Sequence, residues 1–159
     1  MAIIEPKTSA EFAQYYALRW SVLQQLSADY FTARVISVIA EKAMAEEWHC
    51  IRKWHGIHKM AIAAEGHAAV GVGRGHIEVP GIGMVRYMAV APEYQGMNIG
   101  SVVLNALESD LRTLGAGMVV LNARDNATKF YEKHGYRIVG PIIVKHSPHP
   151  AHIHMEKIL

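Results

Sequence analysis

One stretch of the chain combines a strand, a loop, a helix and a second strand, and it constrains the fold more than any other. An apolar, β-branched run over 82 to 90 leads into the glycine-bearing segment APEYQGMNIGS, residues 91 to 101. Apolar residues then recur at helical spacing until Gly115, and the short apolar run GMVVLNA, 117 to 123, follows. With a further helix after it, this order predicts a mixed α/β sheet in one domain.

Helices and strands are also predicted on either side of this stretch. Thr8 and Glu11 form a capping box ahead of a helix over 9 to 26, and a second helical pattern covers much of 33 to 54. Short runs rich in Val, Ile, Ala and Gly predict strands over 59 to 64, 68 to 77 and 82 to 90. The remaining predicted elements are a helix in NATKFYEKHG, capped by Asn126 and stopped by Gly135, and final strands in YRIVGPIIV and AHIHMEKIL.

Length and composition limit the class of protein. The chain has 159 residues, which suits a single domain over 1 to 159 with a core that needs no disulfides. It has no long apolar run and no signal pattern, so we expect a soluble, cytoplasmic protein without a membrane partner. Cys50 is the only cysteine, which excludes a disulfide framework. The net charge of +2 comes from scattered basic residues and does not indicate a nucleic-acid partner.

The loop over 91 to 101 has the features of an anion site. A strand that runs through a glycine-bearing loop into a helix directs backbone N–H groups and the positive end of the helix dipole at one point, which suits a pyrophosphate. The spacing matches neither a Walker A loop nor the dinucleotide fingerprint. Many helices also begin after glycine for steric reasons, so the residues alone leave both interpretations open.

Two segments carry a resemblance to a known family. VRYMAVAPEYQGMNIGSVVLNALE resembles the central motif of the GNAT superfamily of N-acetyltransferases, and NATKFYEKHGYRIVG is similar to the motif that follows it. Together they cover about 85 to 140, whereas 27 to 80 resembles nothing we can place. The resemblance implies a single-domain mixed sheet with flanking helices, whose central parallel strands splay apart to hold acetyl-CoA as co-substrate. It also implies direct transfer of acetyl from the thioester to an amine acceptor.

The resemblance implies a set of cofactor contacts by position. Strand backbone would pair with the pantetheine arm, loop amides would bind the pyrophosphate, and Asn126 would bond near the amide arm. The implied contacts are Met88, Ala89, Val90, Gln95, Gly96, Met97, Asn98, Ile99, Gly100, Ser101, Asn122, Asn126 and Tyr131. Asn98 stands where the motif most often has glycine. Because asparagine visits the left-handed region more easily than other residues with a side chain, we expect a positive φ there and only a modest loss of affinity.

Tyr131 is the expected general acid, because the resemblance puts it beside the sulfur of the cofactor. A tyrosine of ordinary pKa can protonate a departing thiolate of pKa near 8.5, since the transfer is only about 1.5 units uphill. The alternative is that Tyr131 packs beside Phe130 as part of the core.

The general base is less defined by the sequence. Some family members carry a glutamate on the strand before the loop, but 83 to 87 contains no carboxylate. Glu78 is the candidate base, and His76 could act through water. A glutamate in this position is more often a solvated charge at a turn, and an acceptor amine of low pKa would need no base.

Other polar residues leave two interpretations each. Arg19 falls on the apolar face of the first helix, where it either serves structure or meets an anionic substrate. His146, His149, His152 and His154 invite a metal interpretation, but no Cys or Asp accompanies them, so we predict no metal. A non-catalytic acyl-CoA sensor or interaction module with the same fold is the alternative to an enzyme, and homodimer formation stays open.

Overall fold

The computed structural model of the chain describes residues 1–27, 56–63, 68–142 and 152–159. The helix predicted over 33 to 54 lies outside the described residues. The described elements, in chain order, are β1 (Ala2–Ile4), α1 (Ser9–Ser27), β2 (Ile57–Ile62), β3 (Ala69–Val79), β4 (Ile82–Val90), α2 (Ile99–Thr113), β5 (Met118–Arg124), α3 (Thr128–Lys133), β6 (Arg137–Ile142) and β7 (His152–Ile158).

The strands form a seven-stranded sheet in the order β1-β2-β3-β4-β5-β7-β6. Strands β4 and β5 pair in parallel across the α2 crossover, and the other neighbouring pairs are antiparallel. This confirms the predicted mixed α/β sheet. Strand β4 has the predicted bounds, the other predicted strands are shifted by one or two residues, and β1 was missed because three residues are too short to show a pattern.

Helix α2 lies close to the sheet because glycines on β3 make room for it. A Cβ atom built on Gly71 would lie 2.5 Å from Ile99 Cγ2, and one on Gly75 would lie 3.4 Å from the Leu111 side chain. Beneath the helix, Val103 and Leu107 are fully buried. The run GVGRG therefore belongs to a strand, and its glycines face the helix that begins at the loop.

The opposite face of the sheet is covered by α1. Tyr15, Leu18 and Val22 pack with Val72 and Ala89 of the sheet. The predicted capping box is confirmed. The Glu11 N–H donates to Thr8 Oγ1 at 3.2 Å, and the Thr8 N–H donates to Glu11 Oε2 at 2.8 Å. Among the helices that the structure describes, none has the length and apolar character needed to cross a membrane.

The start of α3 differs from the prediction, which made Asn126 its cap. Asn126 instead lies within a 3₁₀ turn over Asp125–Ala127, and no side-chain cap hydrogen bond forms at the start of α3. The Thr128 hydroxyl donates to the Asp125 carbonyl at 2.9 Å, so a tight turn takes the place of a side-chain cap. The predicted stop is confirmed, since Gly135 has a φ of +87°.

Candidate functional site

The sheet opens between its two central parallel strands. Register pairs join β4 to β5 from Ile82 opposite Met118 to Val85 opposite Leu121, and the pairing ends there. Residues 86–90 of β4 and 122–124 of β5 are not paired with each other. The predicted splay is thus confirmed, and the opening between these two segments is here called the gap.

A bulge on β4 lies at the start of the gap. On β3, Arg74 is opposite Arg86 and Val72 is opposite Ala89, so β4 has one more residue than β3 between these pairs. Tyr87 lies in this interval with a φ of +58°, a conformation uncommon for a large side chain. Because a bulge increases the local twist of its strand, it turns the end of β4 away from β5.

The edge of β4 along the gap offers backbone groups. The Ala91 N–H donates to the Val70 carbonyl on β3 at 2.9 Å. Residues of an antiparallel strand alternate in the side to which they hydrogen-bond, so Ala89 also faces β3, whereas Met88 and Val90 direct their backbone groups toward the gap. The Gln95 side chain donates to the Val90 carbonyl at 3.2 Å, which agrees with this alternation. The register therefore does not support the expected backbone contact between Ala89 and the pantetheine arm.

The loop after β4 ends in two left-handed residues and a helix N-terminus. Gly96 has a φ of +81° and Asn98 a φ of +64°, so the positive φ predicted for Asn98 is confirmed. Helix α2 begins at Ile99, and its first intrahelical donor is the Val102 N–H, which bonds the Asn98 carbonyl at 3.2 Å. The N–H groups of 99 to 101 therefore have no acceptor within the helix, and the helix dipole adds a positive potential.

Helix α3 lies against the start of α2. A Cβ atom on Gly100 would lie 3.3 Å from the Phe130 ring and 3.5 Å from Val90 Cγ2. The Phe130 and Tyr131 rings meet edge to face with their centroids 5.0 Å apart. The structure thus brings Tyr131 to the same end of the sheet as the loop and the gap.

Tyr131 is 8% exposed, and burial raises the pKa of its hydroxyl. The expectation of an ordinary pKa for this tyrosine was therefore wrong, because the sequence does not show how deeply α3 packs. Burial keeps Tyr131 in the protonated form, which is the form that can donate. The same buried surroundings would also raise the pKa of a thiol bound there, so the pKa values of the Tyr131 hydroxyl and the thiol shift in the same direction.

A buried hydrogen-bond network holds the neighbour of Tyr131. The ring centroids of Tyr136 and Tyr131 are 5.6 Å apart, and the Tyr136 hydroxyl donates to Glu108 Oε1 at 2.8 Å. Lys157 Nζ donates to Glu108 Oε2 at 2.6 Å. Sequence reasoning missed Glu108, although the signal was present: it falls four residues after Leu104, on the apolar face of α2.

Glu78 is not brought to the gap. It lies near the β3–β4 turn. The gap begins at Arg86, which is opposite Arg74 on β3, and Arg74 is four residues from Glu78, or about 13 Å along the strand. Glu78 Oε2 instead contacts His76 Nε2 at 2.7 Å. Burial of His76 lowers its pKa, against the opposing effect of the Glu78 hydrogen bond. This register does not support the expectation that Glu78 acts directly as base.

Arg19 reaches the bulge from α1. It is 5% exposed, and its guanidinium carbon lies 3.4 Å from the centre of the Tyr87 ring, while that of Arg74 lies 4.8 Å from the same ring. The structure therefore brings Arg19 to the start of the gap, on the face of the sheet opposite α2.

The two asparagines lie at the open end of β5. Asn122 is the first residue after the last pair with β4, and its Oδ1 lies 3.0 Å from His154 Nδ1. Asn126 is exposed in the following turn. Of the four histidines considered as metal ligands, His146 and His149 lie outside the described residues. The described part of the chain contains no group of three or more His, Cys, Asp or Glu arranged to hold a metal ion.

The chain is similar in sequence and in fold to known acetyltransferases. A family model described as an acetyltransferase (GNAT) domain matches residues 22–159. The uncharacterized N-acetyltransferase YjcF of Bacillus subtilis (strain 168) is 28% identical over 116 residues, which are 73% of this chain and 81% of that protein.

Solved structures give the same picture of the fold. One is a GCN5-related N-acetyltransferase (aminotransferase, class II) from Rhodopseudomonas palustris, with a TM-score of 0.75 and 24% identity over 99% of this chain and 95% of that chain. Another is the PaiA N-acetyltransferase from Thermoplasma acidophilum in complex with coenzyme A, with a TM-score of 0.74 and 19% identity over 100% of both chains. At these identities the structures establish a common fold.

Proposed function

This chain belongs to the GNAT family of acetyltransferases, and from that membership we propose that it transfers an acetyl group directly from acetyl-CoA to an amine of a small molecule or a protein. It is thus an N-acyltransferase that uses acetyl-CoA as co-substrate. The observation that carries the proposal is the end of the β4–β5 pairing at Val85 and Leu121, beside a helix N-terminus preceded by a left-handed Asn98. A cytoplasmic location, a single domain over the whole chain and homodimer formation stay predictions.

The gap and the loop fit the two polar parts of coenzyme A. Backbone groups of Met88 face the gap and suit the amides of a pantetheine arm, which would take the place of a neighbouring strand. Of the Val90 backbone, the N–H faces the gap, and the carbonyl already accepts from the Gln95 side chain. Within the segment from Gln95 to Ser101, the amides of 99 to 101 suit the pyrophosphate best, since they have no acceptor within the helix, whereas the Gln95 and Met97 N–H groups already donate to the Pro92 and Tyr94 carbonyls. Asn126 in the adjoining turn is the proposed contact to the amide arm. The Thermoplasma protein, which has the same fold, was solved in complex with coenzyme A, and this supports coenzyme A as the ligand.

The chemistry needs a free amine, an oxyanion donor and a proton for the departing sulfur. The Val90 N–H is the proposed donor to the carbonyl oxygen, because the alternation on β4 directs it toward the gap. Tyr131 is the proposed donor to the thiolate. Its raised pKa leaves it protonated at neutral pH, and the thiolate formed in the same buried surroundings is itself a stronger base than in water.

Arg19 is proposed to border the acceptor site. It lies against Tyr87, at the first residues of β4 that no longer pair with β5, on the α1 face of the sheet. The cofactor loop and α3 occupy the α2 face, so the α1 face is the side from which an amine would approach the thioester. Guanidinium groups favour an acceptor with a negative group.

The proposal is tested by measuring thiol release from acetyl-CoA with a panel of amines, alongside calorimetric titration of acetyl-CoA. We expect binding, and thiol release above the rate of hydrolysis with at least one amine. A chain that binds acetyl-CoA but releases no thiol with any amine would be a sensor, and the proposed function would be wrong.

A further inference from the structure

A histidine and an asparagine are paired where β5 separates from β4. Asn122 is one residue beyond the last β4–β5 pair, and His154 lies directly opposite it on β7. His154 Nδ1 is 3.0 Å from Asn122 Oδ1. Because an amide oxygen only accepts hydrogen bonds, Nδ1 carries the proton, and the neutral ring has its lone pair on Nε2.

This pair lies on the α1 face of the sheet. Leu121 and Met155, the neighbours of the pair along β5 and β7, belong to the core beneath α2. Since side chains alternate along a strand, Asn122 and His154 point to the opposite face. Tyr131 packs in the α2 core. Tyr131 and this imidazole therefore lie on opposite faces of the sheet, and the imidazole reaches Asn122 on the strand that borders the gap.

We propose that His154 accepts the proton of the acceptor amine and that Asn122 is the positioning residue that orients its ring. This inference rests on the proposed function. An ammonium group on the α1 side gives one proton to His154 Nε2 and becomes a free amine. Its lone pair then forms the C–N bond to the thioester carbonyl carbon, the C–S bond breaks, and the sulfur leaves with the bonding electrons.

The protons balance in this sequence. The nitrogen loses a second proton once it is bonded to carbon, and the thiolate gains one from Tyr131, which is reprotonated in turn. The net reaction converts an ammonium ion and acetyl-CoA into an amide, a thiol and one released proton. The proton taken by His154 returns to solvent before the next turnover.

Other charged groups surround His154 on this face. On the strands beside it and across the gap they are Arg124 of β5, Arg137 of β6, His152 and Glu156 of β7 and Arg86 of β4. Glu156 does not compete as a base, because Arg137 Nε donates to its Oε1 at 2.8 Å and Arg137 Nη2 contacts the same oxygen. His76 lies opposite Met84, two residues short of the gap, and is engaged by Glu78.

The test compares His154→Gln with the wild type in thiol release across pH 6 to 10, using an alkylamine and a weakly basic amine. We expect kcat/KM for the alkylamine to fall by about 10²-fold at neutral pH, the usual scale of acid–base catalysis. The loss should shrink as the pH approaches the pKa of the alkylamine, because more of that amine is then already deprotonated. It should be absent for the weakly basic amine, which is deprotonated over the whole pH range. His152→Gln, two residues away on the same face, is the matched control and should keep the wild-type profile.

Variants of Asn122 separate positioning from cofactor contact. Asn122→Asp keeps an acceptor for Nδ1 and adds a charge that favours the imidazolium, so the rising limb of the pH profile should move to higher pH. It serves as the second test if His154→Gln fails to fold. If Asn122→Asp or Asn122→Ala weakens acetyl-CoA binding and leaves the pH profile unchanged, Asn122 contacts the cofactor and the inference is overturned.

The outcomes distinguish this inference from the proposed function. An active wild type with an unchanged profile in His154→Gln overturns the role of His154 and leaves the acetyltransferase proposal standing. A wild type that binds acetyl-CoA yet acetylates no amine overturns both.

Discussion

The guanidinium of Arg19 stacks on the ring of Tyr87, 3.4 Å from its centre, at the residue where β4 adopts a left-handed conformation. A left-handed tyrosine is unfavourable by itself, so contacts to its ring must offset the cost. Arg19 on α1 supplies one of these contacts. Helix α1 thus helps to hold the bulge that opens the sheet.

Replacing Arg19 with lysine tests this contact. Arg19→Lys keeps the charge but loses the planar stacking surface, so we expect the free energy of unfolding to fall by about 1 kcal/mol. Urea denaturation measures the change, with Arg112→Lys on the exposed end of α2 as control. Equal losses in the two variants would contradict a specific role of the stack.

The left-handed Asn98 gives a second prediction. Asn98→Gly should keep acetyl-CoA affinity within about tenfold, or roughly 1.4 kcal/mol, because glycine adopts a φ of +64° without strain. Asn98→Val should weaken binding by much more than tenfold, because a β-branched residue resists this conformation. Calorimetric titration gives the affinities, and Met97→Val, at a neighbour without positive φ, is the control. Equal affinity of Asn98→Val and the wild type would refute the conformational argument.

Tyr131→Phe isolates the hydroxyl proposed as general acid. The ring contacts with Phe130 and Tyr136 remain, so we expect the acetyl-CoA dissociation constant to stay within about threefold while kcat falls by about 10²-fold. Steady-state thiol release and equilibrium titration separate the two quantities. Tyr16→Phe on α1 is the control. Undiminished turnover of Tyr131→Phe with a good amine would remove this residue from the chemistry.

The buried tyrosines predict a loss of stability in alkali. Burial raises the pKa of both Tyr131 and Tyr136, and the Glu108 carboxylate contributes at Tyr136. Above pH 10 the folded chain therefore holds more protons than the unfolded chain, so the stabilisation is complete below about pH 10 and is lost as the pH rises further. The slope contributed by each tyrosine grows through pH 10 and approaches about 1.4 kcal/mol per pH unit at higher pH, where the unfolded tyrosine is fully ionised.

Urea denaturation between pH 9 and 11 measures this slope. Tyr136→Phe should be less stable than the wild type at pH 9 because its hydrogen bond to Glu108 is gone. It should then lose stability more slowly as the pH rises. Parallel curves for the two proteins would show that Tyr136 titrates alike in the folded and unfolded chains.

The close approach of α2 to β3 gives a prediction at Gly71. Gly71→Ala puts a Cβ atom 2.5 Å from Ile99 Cγ2, so the helix or the strand must shift, and we expect a loss of about 1 to 3 kcal/mol in the free energy of unfolding. Ile99 begins α2, so acetyl-CoA affinity should fall as well. Gly140→Ala on β6 has nothing within 4 Å of the new Cβ atom and should leave both quantities unchanged. Identical behaviour of the two variants would contradict the packing argument.

The local parts of the site were predictable from sequence, and the long-range parts were not. The strand, the loop, the helix and the positive φ of Asn98 depend on residues within a few positions of one another. Glu108 with Tyr136, 28 residues apart, and Asn122 with His154, 32 residues apart, meet because of the folded arrangement. For Asn122 and His154 the cause is the insertion of β7 between β5 and β6, an order that no local pattern specifies.

Glu78 shows why closeness in sequence can mislead. It precedes the motif strand by a few residues, but β3 and β4 form an antiparallel hairpin. Residues beside the turn of a hairpin lie at the start of the second strand, whereas the gap is at its end. The raised pKa of Tyr131 was equally hidden, because burial depends on how α3 packs against α2.

Four residue pairs, from Ile82 with Met118 to Val85 with Leu121, join the β1–β4 half of the sheet to the β5–β7 half. A ligand bound in the gap would contact both β4 and β5 and so add cross-links between these halves, which would link binding to folding thermodynamically. A substitution far from the ligand that loosens the β5–β7 half would then lower apparent affinity, and saturating acetyl-CoA would restore the stability it removed. The acetyl-CoA affinity of a variant in the β5–β7 half would therefore also depend on how firmly the two halves of the sheet are joined.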